Sequence, residues 1–310
     1  MSELTLRQLE YFAAIAETRS ITEAARRCHV SQAAVSLALA QLEQAVGASL
    51  AIRRRGRGIA LTAEGQVVAA RARQVVEQVA DIGSAVEGAH GRLSGRLTVG
   101  VFRTLAPHVI PPLLDWFTHR HPAVELDFIE AAGPEVQQLM LGGVAQLSVI
   151  YEAQALPDCA TEVLQEARRQ AVLSPEHPLS DRETVSLEEL AAHPVMLMSE
   201  EPALQRTLAE YAKAGVEPHV LGRSASVGAI HNVVGRNLAY SLLMQPAAAS
   251  PEGRPLVFRP LRGNVRTNSV VAALPIGVTR SALVTEAITA LHEHWGTATP
   301  EDRHAPPPPG

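Results

Sequence analysis

The chain has 310 residues, room for more than one domain at ~100–200 residues each. Its 27 basic and 32 acidic side chains leave a net charge of −5, no apolar run reaches the ~18 residues of a membrane span, and the N-terminus reads as a polar helix start rather than a signal peptide, so a cytoplasmic protein is expected. The charge is uneven: residues 1–60 hold Arg7, Arg19, Arg26, Arg27, Arg53, Arg54, Arg55 and Arg57 against Glu3, Glu10, Glu17, Glu23 and Glu43, leaving an acidic remainder, as suits a nucleic-acid reader joined to a non-binding module.

Ser20 and Glu23 form S-x-x-E, a capping box that predicts a helix from Ile21. Ile21, Ala24, Ala25 and Cys28 fall at i, i+3, i+4 and i+7, a narrow buried stripe whose small residues let another helix approach closely. After a break at His29 and Val30, Ser31 is a second N-cap, and the helix behind it buries Val35, Leu39 and Leu42 and stops at Gly47. Two short helices joined by a tight turn predict a helix-turn-helix, although two core helices of a generic bundle would show the same pattern. Gln32 and Ser36, one turn apart, lie where a recognition helix meets base edges in the major groove. Residues 50–52 and 59–61 predict strands around Arg53, Arg54, Arg55, Gly56, Arg57 and Gly58. Glycines suit a tight hairpin, and four arginines make a tip that only an anion would welcome. The segment therefore predicts a winged helix-turn-helix over 1–61, with the wing on phosphates or in the minor groove.

The run Leu6-Arg7-Gln8-Leu9-Glu10-Tyr11-Phe12, then Ser20, Ala24-Ala25, Val30-Ser31-Gln32, Ala34-Val35-Ser36, Leu42-Glu43, Gly47 and Leu61-Thr62-x-x-Gly65 resembles the N-terminal domain of LysR-type transcriptional regulators. The resemblance is dense over these residues and looser beyond them. It implies a homo-oligomer, usually a tetramer, that binds promoter DNA and answers to a small-molecule effector. The candidate DNA-contacting set is Ser20, Ser31, Gln32, Ala33, Ser36, Arg53, Arg54, Arg55 and Arg57. The chain departs from the family at Ala33, where proline is usual, at Leu37, where arginine is frequent, and at Leu50-Ala51, where Leu-Phe is usual. The missing arginine removes a phosphate contact and shifts affinity toward the wing.

Residues 62–90 predict a long helix in which Val68, Ala72, Val75, Val79, Ile82 and Val86 alternate steps of four and three, a heptad seam. About 25 residues span roughly 37 Å. Such a stripe could dock on its own domain. By resemblance it is the family's linker helix, which pairs antiparallel with a second subunit and thereby sets the half-site spacing. Gly88, Gly91, Ser94 and Gly95 predict a hinge over 91–94.

Residues 95–297 alternate strands (97–101, 124–129, 147–151, 195–198, 219–221, 238–244, 270–274) with helices (107–121, 135–141, 187–192, 204–214, 280–295), and 170–173 opens a second half. Alternation of this kind predicts doubly wound α/β lobes. The whole is a multidomain α+β and α/β chain: winged helix-turn-helix, long linker helix, and an effector domain that resembles the two-lobed periplasmic-binding-protein architecture. Lobe I is expected at about 95–165 and 267–297, lobe II at about 166–266, with crossings near 162–169 and 262–269. Residues 298–310, with four consecutive prolines, predict a disordered tail.

Ligands of such folds sit in the cleft, at strand C-termini and helix N-termini. Arg103 and Thr104 follow the first lobe strand, so the Thr104 hydroxyl and the next amides form an anion site. By resemblance Thr104 meets an effector carboxylate; a simple helix cap would account for it equally. Gly133 begins the next helix, where relatives often supply a threonine. By resemblance Ser199, Glu200 and Glu201 occupy the second-lobe loop that the family often uses for ligand contact. Two carboxylates suit a dicarboxylate poorly unless Arg103 or a ligand amine balances them, which hints at a zwitterionic or amine-bearing effector. Around the turn into strand 238–244, Asn237 and Ala239 replace two customary glycines, and Tyr240 either lines the cleft or packs.

Enzyme signatures are missing: no Gly-x-Ser-x-Gly elbow, P-loop or Rossmann fingerprint occurs. His119 with His121, and His292 with His294, are spaced i, i+2 and share no helix face, so neither a metal site nor a cofactor is expected. Peroxide-sensing members of the family use two cysteines in the second lobe; Cys159 falls outside it and Cys28 lies in the first motif, which argues against that chemistry. The alternative to a sequence-specific regulator is a small-molecule sensor with only non-specific DNA affinity.

Overall fold

The computed structural model describes residues 4–54, 58–88, 93–263 and 267–297. Helix α1 (Leu6–Thr18) begins at a complete capping box: the Thr5 hydroxyl accepts from the Gln8 N–H, and the Gln8 side chain accepts from the Thr5 N–H. Helix α2 (Ile21–Arg27) is capped by the Ser20 hydroxyl, but Glu23 turns to Arg26 at 3.3 Å instead of closing the expected box. The chain then passes through His29, whose φ of 56° is left-handed, into α3 (Gln32–Val46), capped by Ser31 and ended by Gly47 at φ 73°. Ala24, Ala25 and Val35 pack with Ala14, Ile15 and Ile59, so the small residues admit three helices and a strand to one core.

Strands β1 (Ala51–Arg54) and β2 (Gly58–Leu61) form the antiparallel wing, paired from Ala51–Leu61 to Arg54–Gly58. The Glu43 carboxylate holds its base by accepting from the N–H groups of Leu50 at 2.7 Å and Ala51 at 3.2 Å. A Cβ on Gly58 would meet the Arg19 carbonyl at 2.6 Å, the oxygen that accepts the Ile59 N–H. The expected wing tip, with Arg55 and Arg57, lies outside the described residues.

Helix α4 (Ala63–Gly88) splits the predicted seam in two. Val68 and Ala69 pack with Phe12, Ala16, Leu42 and Leu50, and Ala72 is buried as well. Val75, Val79 and Ile82 are 39%, 42% and 63% exposed. The first turns dock on their own domain, and the later ones offer apolar surface to solvent. Arg73 Nη1 donates to the Gly142 carbonyl at 2.6 Å, and Glu77 accepts from Gln146 Nε2 at 2.6 Å, tying α4 to the domain that follows.

That domain starts earlier than expected: Ser94, assigned to the hinge, opens strand β3 (Ser94–Phe102), and residues 91–92 lie outside the description. Helix α5 (Ala106–Arg120), β4 (Ala123–Ala131), α6 (Gly133–Leu141), β5 (Leu147–Tyr151) and β6 (Cys159–Ala167) follow. Lobe II contains β7 (Gln170–Leu173), α7 (Leu187–Leu190), β8 (Pro194–Met198), α8 (Ala203–Lys213), β9 (His219–Ser224), α9 (Val227–Gly235), β10 (Ser241–Leu243) and β11 (Val257–Pro260). The chain returns through β12 (Asn268–Pro275) and α10 (Ala282–Thr297). Lobe I is a five-stranded sheet in the order β4-β3-β5-β12-β6, with β3 parallel to β4 and β5 and β12 antiparallel to β5 and β6. Its inner strands are near-continuous apolar runs, as strands covered on both faces require.

Two expectations are corrected here. Residues 162–167 are not crossover but part of β6, so the crossing narrows to Arg168 and Arg169. Lobe II is not one doubly wound sheet but an antiparallel trio, β10-β7-β11, and a parallel pair, β8-β9, joined by a bridge between Val195 and Tyr240.

Candidate nucleic-acid face and interlobe cleft

On α3, Gln32 and Ala33 are exposed and Ser36 is half-buried on the same N-terminal turns. The Ser31 hydroxyl accepts the Ala34 N–H at 3.1 Å, and the Ser20 hydroxyl accepts the Glu23 N–H at 3.3 Å. Each therefore fixes a helix start and keeps its own proton to donate outward. Leu37, which follows Ser36 in the helix, is 60% exposed and puts an apolar side chain into solvent. Arg53 and Arg54 fall on β1, the first strand of the wing. Arg26 and Arg27 are engaged by Glu23 and Glu17.

Between the lobes lies a cleft of about 710 Å³. Its walls come from the C-terminal ends of β3, β5 and β8 and from the first turns of α5, α8 and α9, as open α/β lobes dictate. Arg103 and Glu200 pair across it at 3.2 Å, linking lobe I to lobe II. The second Glu200 oxygen, Oε2, is buried without a hydrogen-bond partner. Burial raises this carboxyl's pKa, and Arg103 opposes the rise.

Thr104 lines the cleft but does not cap the helix that follows it. The N-cap of α5 is Leu105, with no side-chain cap, so Thr104 is not a cap. The Leu105 N–H turns back to the Phe102 carbonyl at 2.7 Å, the His108 N–H to the Leu105 carbonyl at 2.9 Å, and Pro107 has none to give. The amide cradle is largely spent; what remains is Thr104 Oγ1, buried and without a partner, as is Gln245 Nε2. Both lie beside the Tyr151 phenol. Burial pushes that phenol up to about 12, with Gln245 and Thr104 pulling it back.

Unspent backbone donors lie instead at α9. Ser226 caps it through the Ala229 N–H at 3.2 Å, which leaves the Val227 and Gly228 N–H groups without an intrahelical acceptor at the cleft wall. One turn on, His231 is 6% exposed with Nε2 buried and unpartnered. Burial, assisted by His108, lowers its pKa to about 4, and burial also lowers that of His108. Both imidazoles are neutral near neutral pH.

Glu201 lines the cleft and accepts the Gln205 N–H at 3.3 Å in the first turn of α8. Three expected ligand residues lie elsewhere. Gly133 packs under Gln154, where a Cβ would come within 2.8 Å of that side chain. Ser199 ties β8 to β9 through the Ser224 carbonyl at 3.0 Å. Tyr240 is fully buried, its hydroxyl 2.6 Å from that of Tyr211, and belongs to the lobe II core. Sequence reasoning missed His108, Tyr151, His231 and Gln245. Tyr151 ends a predicted strand, a position that could have marked it, whereas His231 rides on a helix that had not been predicted.

Among the described residues no cluster of three or more His, Cys, Asp or Glu could hold a metal ion, and no helix is long and apolar enough to cross a membrane. Cys28 and Cys159 are free, one closing α2 and the other opening β6 in lobe I. Burial is the chief cause raising both thiol pKa values.

Residues 6–66 match the model of the bacterial regulatory helix-turn-helix protein, lysR family, and residues 90–296 that of the LysR substrate binding domain. The regulator CfxR of Cupriavidus necator is 32% identical over 67% of this chain, a match that spans 65% of CfxR's own length. A probable hydrogen peroxide-inducible genes activator of Mycobacterium leprae is 30% identical over 79% of both chains. Among solved structures, the LysR family regulator HinK of Pseudomonas aeruginosa superposes over 94% of this chain and 99% of its own, with a TM-score of 0.61 at 25% identity. A full-length OxyR variant from the same organism shares the fold over 94% of this chain and 98% of its own, with a TM-score of 0.73 at 21% identity. With a lysR-type helix-turn-helix at its N-terminus and a LysR substrate-binding domain over most of the remainder, the chain belongs to the LysR family of DNA-binding transcriptional regulators.

Proposed function

We propose that the chain is a cytoplasmic, homo-oligomeric regulator that reads promoter DNA and is controlled by a small molecule bound between its two lobes, without catalysing a reaction. Its parts are a DNA-binding unit (1–61), a linker helix (62–90) and an effector domain (from 95). Gln32 pairs bidentately with adenine, Ser36 reaches the next base, and Leu37 meets a thymine methyl. Arg53, Arg54, Arg55 and Arg57 neutralise phosphates. The exposed Val75, Val79 and Ile82 join two copies through α4.

The observation that carries the effector reading is the set of polar atoms left unpartnered on one cleft: Thr104 Oγ1, Gln245 Nε2, Glu200 Oε2 and His231 Nε2. Burying a polar group unpaired costs about 1–3 kcal/mol, so such a set is best understood as waiting for a ligand. The non-catalytic reading is supported by the cleft hydroxyls of Thr207 and Ser226, engaged in their own helices rather than beside a base. The peroxide response named for the M. leprae relative does not carry over, because neither cysteine lies in lobe II and burial suppresses both thiolates.

The test is a mobility shift with an operator selected from random duplexes by the full chain. Gln32→Ala should cost ~1–3 kcal/mol and relax preference at one position per half-site. An unchanged ratio of operator to scrambled-duplex binding would remove Gln32 from the interface, and uniform loss of wild-type binding with salt would favour the non-specific sensor.

A further inference from the structure

Granting that a ligand occupies the interlobe cleft, its charge can be read from the walls. Three guanidinium groups line it, from Arg103, Arg169 and Arg206, against the carboxylates of Glu200 and Glu201. Arg169 is already neutralised from behind by Glu210 at 2.6 Å. Two cations therefore face two anions, and the cleft imidazoles add no charge near neutral pH. A dianionic ligand would bring its second negative charge against Glu200 and Glu201, and a simple cation would compete with Arg103 for Glu200 while satisfying none of the donors. Charge balance favours a ligand with no net charge.

The unpartnered atoms say what kind of neutral ligand. Glu200 Oε2 is an acceptor only and Gln245 Nε2 a donor only, while Thr104 Oγ1 does either. An uncharged alcohol or amide leaves the second Glu200 oxygen poorly matched, because a carboxylate beside an arginine on one side is best completed by a cation on the other. Thr104 adjoins Arg103 in sequence and faces Tyr151 together with Gln245, so the donors gather at one end of the same wall. Much of the remaining wall is apolar, with Phe102, Met198, Val227, Leu242 and Leu243 among its lining residues, and the cleft volume of about 710 Å³ exceeds what a bare head group would fill.

We propose that the cleft recognises a free α-amino acid with an apolar side chain, its ammonium on Glu200 and its carboxylate on Thr104, Gln245 and Arg103. The Arg103–Glu200 contact then serves the empty cleft as a stand-in for the ligand. Binding inserts the two ligand charges in complementary order between arginine and glutamate, so both lobes are drawn on the same molecule.

The experiment uses the full chain in calorimetry and thermal shift with L-leucine, L-methionine, L-phenylalanine and L-tryptophan. Each is offered also as its N-acetyl derivative, which keeps only the carboxylate, and as its carboxamide, which keeps only the ammonium; succinate serves as the dianion. At least one free amino acid should bind and raise the melting temperature, with both of its derivatives at least about tenfold weaker, the scale of one charge-assisted hydrogen bond. Glu200→Gln should weaken the amino acid about tenfold and leave the N-acetyl derivative unchanged. The wild-type ranking decides the matter even if that variant fails to fold. An N-acetyl derivative or succinate that binds as tightly as the free amino acid, or no free amino acid that binds, overturns the proposal. If one of those anions binds and Thr104→Val abolishes it, the cleft stands as the effector site and only the zwitterion falls. An amino acid bound equally by wild type, Thr104→Val and Glu200→Gln overturns the cleft reading itself.

Discussion

Two histidines make the stability of this protein sensitive to mild acid. His177 and His231 are each 6% exposed, with an Nε2 that meets no partner. Burial, helped by His193 edge-on at 4.5 Å in one case and by His108 in the other, lowers both pKa values from 6.5 to about 4. A folded-state pKa below the unfolded one means that the unfolded chain binds the extra proton between those values. The contribution is thus complete above pH 6.5 and is lost as pH falls toward 4, about 3 kcal/mol per site at the end of the window. Urea unfolding at pH ~7.5 and ~5 should show a marked fall in stability, much reduced in the His177→Asn, His231→Asn double variant. An equal fall in both proteins would mean that other groups govern the acid limb. Neither imidazole could be singled out from the sequence, because an isolated histidine carries no sign of whether its ring faces water. The residues that could be read, Ser20 and Ser31, have capping roles set within one helical turn. Tyr240 shows the opposite case: its cleft or core placement depended on Tyr211, far away in sequence.

The elements that were legible announce themselves through caps and period. Helices α2 and α3 begin at the serines that predict them, because a side-chain oxygen and an N–H three residues on are enough to start a helix. Helix α9 carries the same signal, with Ser226 followed by Val227, Ile230 and Val234, but is short enough to be passed over. The second half of strand β6 reads as a crossing in the sequence because, at the edge of its sheet, it keeps Glu162 and Glu166 among its apolar residues. One glycine fixes how α4 meets the wing. The Thr62 hydroxyl accepts the Gly65 N–H at 2.9 Å while the Thr62 N–H donates to the Leu50 carbonyl at 3.1 Å, laying the first turn of α4 on the base of β1. A Cβ at Gly65 would fall 1.9 Å from that carbonyl oxygen. Gly65→Ala should therefore destabilise the N-terminal unit by about 1–3 kcal/mol, as overpacking does, with a lower melting transition and weaker operator binding. A melting curve superimposable on that of wild type would show that α4 can lift from the strand at no cost.

At the scale of the molecule, domain order was legible from composition and motif, but the division of labour along α4 was not, since one stripe serves both docking and solvent-facing turns. Its exposed part predicts the assembly. Val75→Asp with Ile82→Asp should place unpaired carboxylates in a helix–helix interface, reducing the mass seen by light scattering and abolishing high-affinity binding to a two-half-site operator. The wild-type mass in this double variant would assign the interface to another surface. The same helix grips lobe I through Arg73 to the Gly142 carbonyl and through Glu77 to Gln146, whose side-chain Oε1 accepts the Thr98 N–H of β3 at 2.6 Å. A rigid body suspended at one joint swings freely; one suspended at two does not. Lobe I follows α4 in the chain and is also held by its side chains at a second place. Thr98 lies four residues before Phe102, roughly 13 Å along the strand at ~3.3 Å per residue. The mouth of the cleft is thus connected, through one strand and the hydrogen-bonded side chains of Gln146 and Glu77, to the helix that carries the DNA-binding unit.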